Sequence, residues 1–223
     1  MAIIPVIDLL DGQVVHARGG VRANYAPVQS SLCPSSEPKA VLTALLTLHP
    51  GITVYIADLG AMLGRQRHDD VVDKLRADFP DLIFWLDNGE TQAQTNRPGV
   101  RVVIGTETGL SASALHSLAL TNADFILSLD FNATGFLGDA EILEHPEFWP
   151  ADIIIMSLAS VGTVQGPAWA IIDDVMQRTA QRNFYLAGGV RNTEDLVMAE
   201  ARGLKGALVA TALHEGGIAS HKL

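Results

Sequence analysis

Short apolar runs that end on an acidic residue recur along the chain, and no other feature limits the fold as much. The first is Ile3-Ile4-Pro5-Val6-Ile7-Asp8, with Leu9-Leu10-Asp11-Gly12 behind it. Its counterpart is Phe125-Ile126-Leu127-Ser128-Leu129-Asp130, followed by Phe131-Asn132-Ala133-Thr134-Gly135. An unbroken apolar run of this length suits a strand buried on both faces, as in a parallel sheet. Its acid then falls at the C-terminal end of the strand, where barrel enzymes keep their chemistry. On this reading each run breaks into a turn directly after its carboxylate. Asp8 and Asp130 lie a little over half a chain apart, which points to a duplicated half-barrel.

Six further apolar runs complete the pattern. They span residues 53–58, 82–87, 100–104, 152–156, 184–187 and 206–210, and the first two again end on acids, Asp58 and Asp87. Helical periodicity falls between them: from about residue 37 to 48, over 69–78, briefly from 91, over 111–120, weakly over 139–143, from 167 to about 181, and from 193. Only a stub, 212–223, follows the last strand. Alternation of this kind predicts an α/β fold, a single (β/α)8 barrel domain over residues 1–223. Asn88-Gly89 after the third strand answers Gly188-Gly189 after the seventh, and Ile104-Gly105-Thr106 answers Val209-Ala210-Thr211. Matched halves are what a duplicated barrel predicts and a doubly wound sheet does not.

Composition excludes several classes of function. A net charge of -10 argues against a nucleic acid or an anionic membrane as partner, and no apolar run approaches a membrane span. Cys33 is the single cysteine, so an internal disulfide is excluded and a cytoplasmic location is expected. None of the four lysines follows a predicted strand, which argues against Schiff-base chemistry. The short tail after the eighth strand would leave apolar wall uncovered, so a homo-oligomer is expected.

Two groups of residues can carry chemistry. Asp8 and Asp130, on opposed strands aimed across one mouth, are candidates for an acid/base pair. Asp58 and Asp87 add two carboxylates to the rim, and the loop of Arg18-Gly19-Gly20-Val21-Arg22 adds Arg18 and Arg22 as further mouth residues. Gly188-Gly189-Val190-Arg191, opening a helix, suits a phosphate cradle, because glycine lets backbone amides approach an anion. Ala210 and Thr211 would complete it from the eighth strand, with Gly105 and Thr106 as the matching positions in the first half. No His or Asx cluster spaces these acids as metal ligands, so neither a metal nor a cofactor is expected. The seven histidines are scattered, and Trp85, Trp149 and Trp169 suit packing roles.

The opening Ile4-Pro5-Val6-Ile7-Asp8-Leu9-Leu10-Asp11-Gly12-Gln13-Val14-Val15 resembles that of the histidine-biosynthesis sugar isomerase and its sister, the cyclase subunit of imidazole-glycerol-phosphate synthase. Asp58-Leu59-Gly60-Ala61, Ile104-Gly105-Thr106, Leu129-Asp130, Gly162-Thr163, Gly188-Gly189-Val190 and Ala212-Leu213-His214-Glu215-Gly216 are similar to landmarks of that family, in order. The resemblance implies a duplicated barrel acting on a phosphorylated ribosyl compound. It also implies that the first-strand Asp works as general acid/base, with a second Asp from the fifth strand or the sixth loop.

The chain departs from the family pattern at three loops. Asp87-Asn88-Gly89-Glu90 stands where the isomerase has a run of glycines, and Ser160-Val161-Gly162-Thr163 where it has Arg-Asp-Gly-Thr. Ala210 replaces a glycine, and the cyclase's lysine near the first strand has no counterpart. A carboxylate about 5 Å from a dianion costs roughly 1–2 kcal/mol per charge pair in a well-solvated site. Asp87 and Glu90 therefore predict one phosphate site in place of the family's two. The expected activity is carboxylate acid/base isomerisation of a phosphorylated ribosyl or amino-sugar metabolite. The alternatives are a paralogue serving one-carbon cofactor (methanopterin or methanofuran) biosynthesis and a non-catalytic barrel that binds a metabolite or a partner protein.

Overall fold

In a computed structural model, which describes residues 1–17, 25–93, 97–121, 123–163 and 165–218, the eight runs form eight parallel strands. They are β1 (Ala2–Leu10), β2 (Thr53–Asp58), β3 (Ile83–Asp87), β4 (Val100–Gly105), β5 (Phe125–Asn132), β6 (Asp152–Ser157), β7 (Asn183–Ala187) and β8 (Gly206–Val209). Each pairs in parallel with the next, and β8 pairs back onto β1 with Ala2 beside Gly206 and Pro5 beside Val209. The sheet is closed, a (β/α)8 barrel. Closure leaves no unpaired strand edge among these eight.

Two apolar regions hold it. Side chains of alternate strand residues fill the barrel, including Ile4, Tyr55, Trp85, Val103, Ile154 and Leu208. Those of opposite parity, such as Leu9, Ile56, Leu86, Ile104 and Ile155, pack outward against the helices. This is why the runs are apolar without alternation: both faces of each strand are buried. Trp85 lies edge-on to Tyr185 inside the barrel, with ring centres 4.8 Å apart. Trp149 is buried and donates its indole N–H to the Ile142 carbonyl at 2.8 Å. Trp169 carries the Arg202 guanidinium 4.4 Å over its ring.

The longer helices are α1 (Pro38–Leu48), α2 (Asp69–Asp78), α3 (Ala112–Leu120), α4 (Trp169–Arg178) and α5 (Thr193–Ala201). Glu37 caps α1, accepting the Lys39 and Ala40 amides, and Pro38 follows at the first helical position, where its missing N–H costs nothing. α4 ends three residues short of the predicted 181. The short helix expected from residue 91 is not found among the described residues between Asp87 and Val100, which form turns and irregular backbone. That stretch is rich in Gly, Pro and Asn and contains no apolar stripe to bury. The expected tail helix is a single turn, Thr211–His214.

Neither key strand breaks directly after its acid, as the sequence reading expected. β1 continues to Leu10 and folds back through Asp11-Gly12 onto a short strand, Gln13–His16, which places Asp8 beside Val15. Asp11 and Gly12 both have positive φ, 49° and 78°, the conformation a two-residue hairpin needs and the reason an Asp-Gly pair stands there. β5 likewise runs on to Asn132 and returns as Gly135–Leu137, with Asp130 beside Leu137. The two hairpins occupy equivalent places in the two halves, with Asp8 and Asp130 each paired to a residue seven positions later.

Candidate active site

Strand parity decides which acids reach the mouth of the barrel. Asp8 pairs with Ala57 and Ala57 with Asp87, so these residues stand at one level with inward side chains. Asp130 shares that parity with the barrel-filling Ile126 on β5. All three acids line a cavity of about 600 Å³ at the C-terminal ends of the strands. Asp58 comes one residue later than Ala57, beside Leu9, and turns outward. It belongs to the same end of the barrel but not to the cavity. One of its oxygens accepts the Ala61 amide at 3.0 Å and the His68 Nδ1 proton at 2.7 Å, and the other accepts the His68 amide at 2.8 Å. His68 Nε2 in turn accepts the Gly12 amide at 2.9 Å. The backbone donor fixes the imidazole proton on Nδ1, so Asp58 and His68 tie the β1 hairpin to the β2 loop.

The two candidate catalytic acids have unlike surroundings. Among the described residues no hydrogen bond reaches the Asp8 carboxyl. Its side chain still meets solvent in the cavity, yet the surrounding apolar wall pushes it up to about 7. Asp130 is buried and well supplied with donors. Its oxygens accept the Ser128 hydroxyl at 2.6 Å and the Glu107 amide at 3.0 Å, while its own N–H donates to the Thr106 hydroxyl oxygen at 3.0 Å. Burial still outweighs those bonds and brings it to about 7 as well, with the charges of Asp87 and Glu107 adding to the rise. Between the acids stands Tyr55, whose hydroxyl donates to Asp87 at 2.9 Å. Burial first and then Asp87 hold this phenol well above its ordinary value, with Asp130 and Asp8 contributing.

On the other side of the cavity, Gly188, Gly189, Val190 and Arg191 from the β7 loop face Ala210 and Thr211 beyond β8. Gly188 and Gly189 have φ of 88° and 83°, and a Cβ on either would strike backbone, the Ser157 carbonyl and the Gly166 carbonyl respectively. Backbone therefore lines this wall at close range. The helix α5 begins at Thr193, and the Asn192 side chain accepts the Asp195 amide, so Gly188, Gly189, Val190 and Arg191 lie upstream of the cap. Arg191 lines the cavity already paired. Its guanidinium makes two bonds to Asp195, at 3.0 and 2.9 Å, and Asp195 also accepts the Arg191 amide at 2.9 Å.

The matching positions of the first half are built differently. Gly105 and Thr106 do not line the cavity. A Cβ on Gly105 would lie 2.9 Å from the Asp130 carboxylate, so the glycine makes room for that side chain, and Thr106 is fully buried beneath it. The Thr106 hydroxyl and the Glu107 amide, which adjoin the expected phosphate positions, are engaged by Asp130. Glu90 does not face this volume either, since it pairs with Arg67 at 2.7 Å on the outer side. Glu107 lines the cavity in its place.

Arg18 and Arg22 lie outside the described residues. Sequence reading missed Tyr55, Glu107 and His16. Tyr55 lies two residues before Ala57, on the face that strand pairing turns inward, and Glu107 directly follows the Gly105-Thr106 pair after the fourth strand, the one signal along the chain that marks it. His16 has no such signal, since its Nε2 stands 3.0 Å from the Thr211 hydroxyl across 195 positions of sequence. Among the described residues, no three His, Cys, Asp or Glu side chains are grouped to hold a metal ion, and no helix is long and apolar enough to cross a membrane.

Comparison with known proteins adds names to this geometry. A family model described as histidine biosynthesis protein matches residues 2–219. An uncharacterized protein of Methanocaldococcus jannaschii is 32% identical, over 97% of this chain and 94% of its own length. The 1-(5-phosphoribosyl)-5-((5-phosphoribosylamino)methylideneamino) imidazole-4-carboxamide isomerase of Gemmatimonas aurantiaca is 27% identical over 100% of this chain and 98% of its own. The isomerase of that name from Thermococcus kodakarensis is 26% identical, over 97% and 93%.

Proposed function

The chain belongs to the histidine biosynthesis protein family, and on that premise we propose that it is an isomerase-type enzyme acting on a phosphorylated ribosyl or amino-sugar metabolite. One observation carries the reading: Asp8 and Asp130, from opposed strands, open on one cavity whose far wall is the glycine-lined backbone of Gly188 and Gly189. Opening a furanose ring needs an acid at the ring oxygen, and the rearrangement that follows needs a base for the C2 proton. Burial pushes both carboxyls up to about 7, which brings a state with one acid and one carboxylate within reach near neutral pH, the state that supplies both roles. Tyr55, with its phenol held protonated, can orient Asp87 or a substrate oxygen.

The same geometry supports a substrate with a single phosphate. The second-half backbone is open to an anion, whereas in the first half Asp130 takes the Glu107 amide, and Asp87 and Glu107 line the adjoining wall. A bisphosphate would set its second dianion against these acids. Calorimetric titration is expected to give micromolar affinity for a sugar monophosphate, loss of binding in Gly189→Asp, and no gain from a second phosphate. Tighter binding of a bisphosphate, or rescue of a histidine-requiring strain, would return the chain to the reaction named for its relatives. Asp8→Asn separates enzyme from binding protein: it is expected to keep the phosphate and lose turnover.

A further inference from the structure

We propose that His16 is a positioning residue of the phosphate cradle, holding the Thr211 hydroxyl so that its proton points at the bound anion. The inference rests on the phosphate site proposed above and adds to it a residue from the opposite end of the sequence. His16 closes the short strand that folds back on β1. Its Nε2 lies 3.0 Å from Thr211 Oγ1, and Thr211 lines the cavity beside Ala210 and across from Gly188 and Gly189.

A hydroxyl has one proton to give. If Nε2 is unprotonated, Thr211 donates to the imidazole and offers an incoming phosphate only lone pairs. If Nε2 carries the proton, it donates to Thr211 Oγ1 and frees the hydroxyl to donate to the phosphate. A dianion in the cradle therefore selects the Nε2–H form of His16, whether the neutral tautomer or the imidazolium. The neighbouring His214 does not compete as a cation. Burial, with the charge of His16 adding, lowers it to about 4, and its Nδ1 is buried without a hydrogen-bond partner among the described residues. Its carbonyl accepts the Ser30 hydroxyl at 3.2 Å, which fixes the turn that carries Thr211.

Two measurements on the full-length protein test this. In 15N spectra of the wild type titrated with inorganic phosphate, the His16 Nε2 resonance is expected to move toward the protonated-nitrogen range as the Gly189 amide shifts. In phosphate titrations, His16→Leu is expected to lose about tenfold in affinity and His16→Gln, which keeps a donor, to stay within about threefold of wild type. Adding Thr211→Val to His16→Leu should cost little more, because the two residues act as a unit. A Gly189 shift with an unmoved His16 signal, wild-type affinity in His16→Leu, or additive losses in the double variant would overturn the role of His16 and leave the cradle standing. If neither the Gly189 amide nor His16 responds to phosphate, the cradle falls, and this inference with it.

Discussion

Asp8 is the residue where the needs of chemistry and of stability most plainly conflict. Its carboxyl is raised from 3.8 to about 7 by burial, so the folded state holds a proton that the unfolded chain releases near pH 4. Between those two values the unfolded state binds fewer protons than the folded one, and stability falls as pH rises. The loss is complete above about 7. Asp8→Asn removes the charge without adding volume, so it is expected to stabilise the protein at pH 8 by on the order of a few kcal/mol. At pH 4 the gain should vanish. Urea unfolding at the two pH values reads this, and equal stabilities of variant and wild type at pH 8 would refute it. Turnover should drop by at least about 10²-fold in the same variant, the usual contribution of a positioned acid or base. Asp130 suits the same test less well, because its donors from Ser128 and Glu107 would be left without a charged acceptor.

At the scale of elements, the loops over the barrel are held by buried polar side chains. Asp58, His68 and the Gly12 amide form a chain from the β2 loop to the β1 hairpin, and Asp58 and His68 are each about 2% exposed. His68→Ala would leave the Asp58 carboxylate short of a partner in a dry site, at a cost of roughly 3 kcal/mol. A loss of unfolding free energy of under about 1 kcal/mol in urea denaturation would mean that the network is dispensable. The β7 loop depends on backbone conformation. Gly188→Ala places a methyl group against the Ser157 carbonyl at a φ of 88°, and a loss of about 2–4 kcal/mol is expected, with weakened phosphate binding. Unchanged stability would show that this loop can relax.

Over the whole molecule, the expected gap in the wall after β8 is partly closed. Ala212, Leu213 and Ile218 are all buried in the core around the barrel. Exposed apolar side chains remain at Ile52, Leu120, Val197 and Met198, the last two adjacent on α5, and these favour self-association. Light scattering at micromolar concentration is expected to show more than one chain per particle, and a monomer mass would refute it. The charge of the cavity is also a property of the whole assembly. Asp8, Asp87, Asp130 and Glu107 come from four separate segments and meet only because the sheet closes.

Strand identity and the end of the barrel that carries the acids were legible along the chain, because both depend on local periodicity and on where each apolar run stops. The half-barrel repeat was legible for a related reason: equivalent strands need equivalent turn residues. Which side each acid faces was not, since a shift of one position reverses a side chain, and only the pairing of Leu9 with Asp58 and of Ala57 with Asp87 revealed the parity. Pairings across the barrel were beyond reach as well. Arg191 is seen to pair with Asp195, Gly105 and Thr106 to make room for and hold Asp130, and His16 to meet Thr211, only when the strands are closed into a barrel. Local sequence determines where a strand ends, but closure of the sheet decides what its last side chain touches.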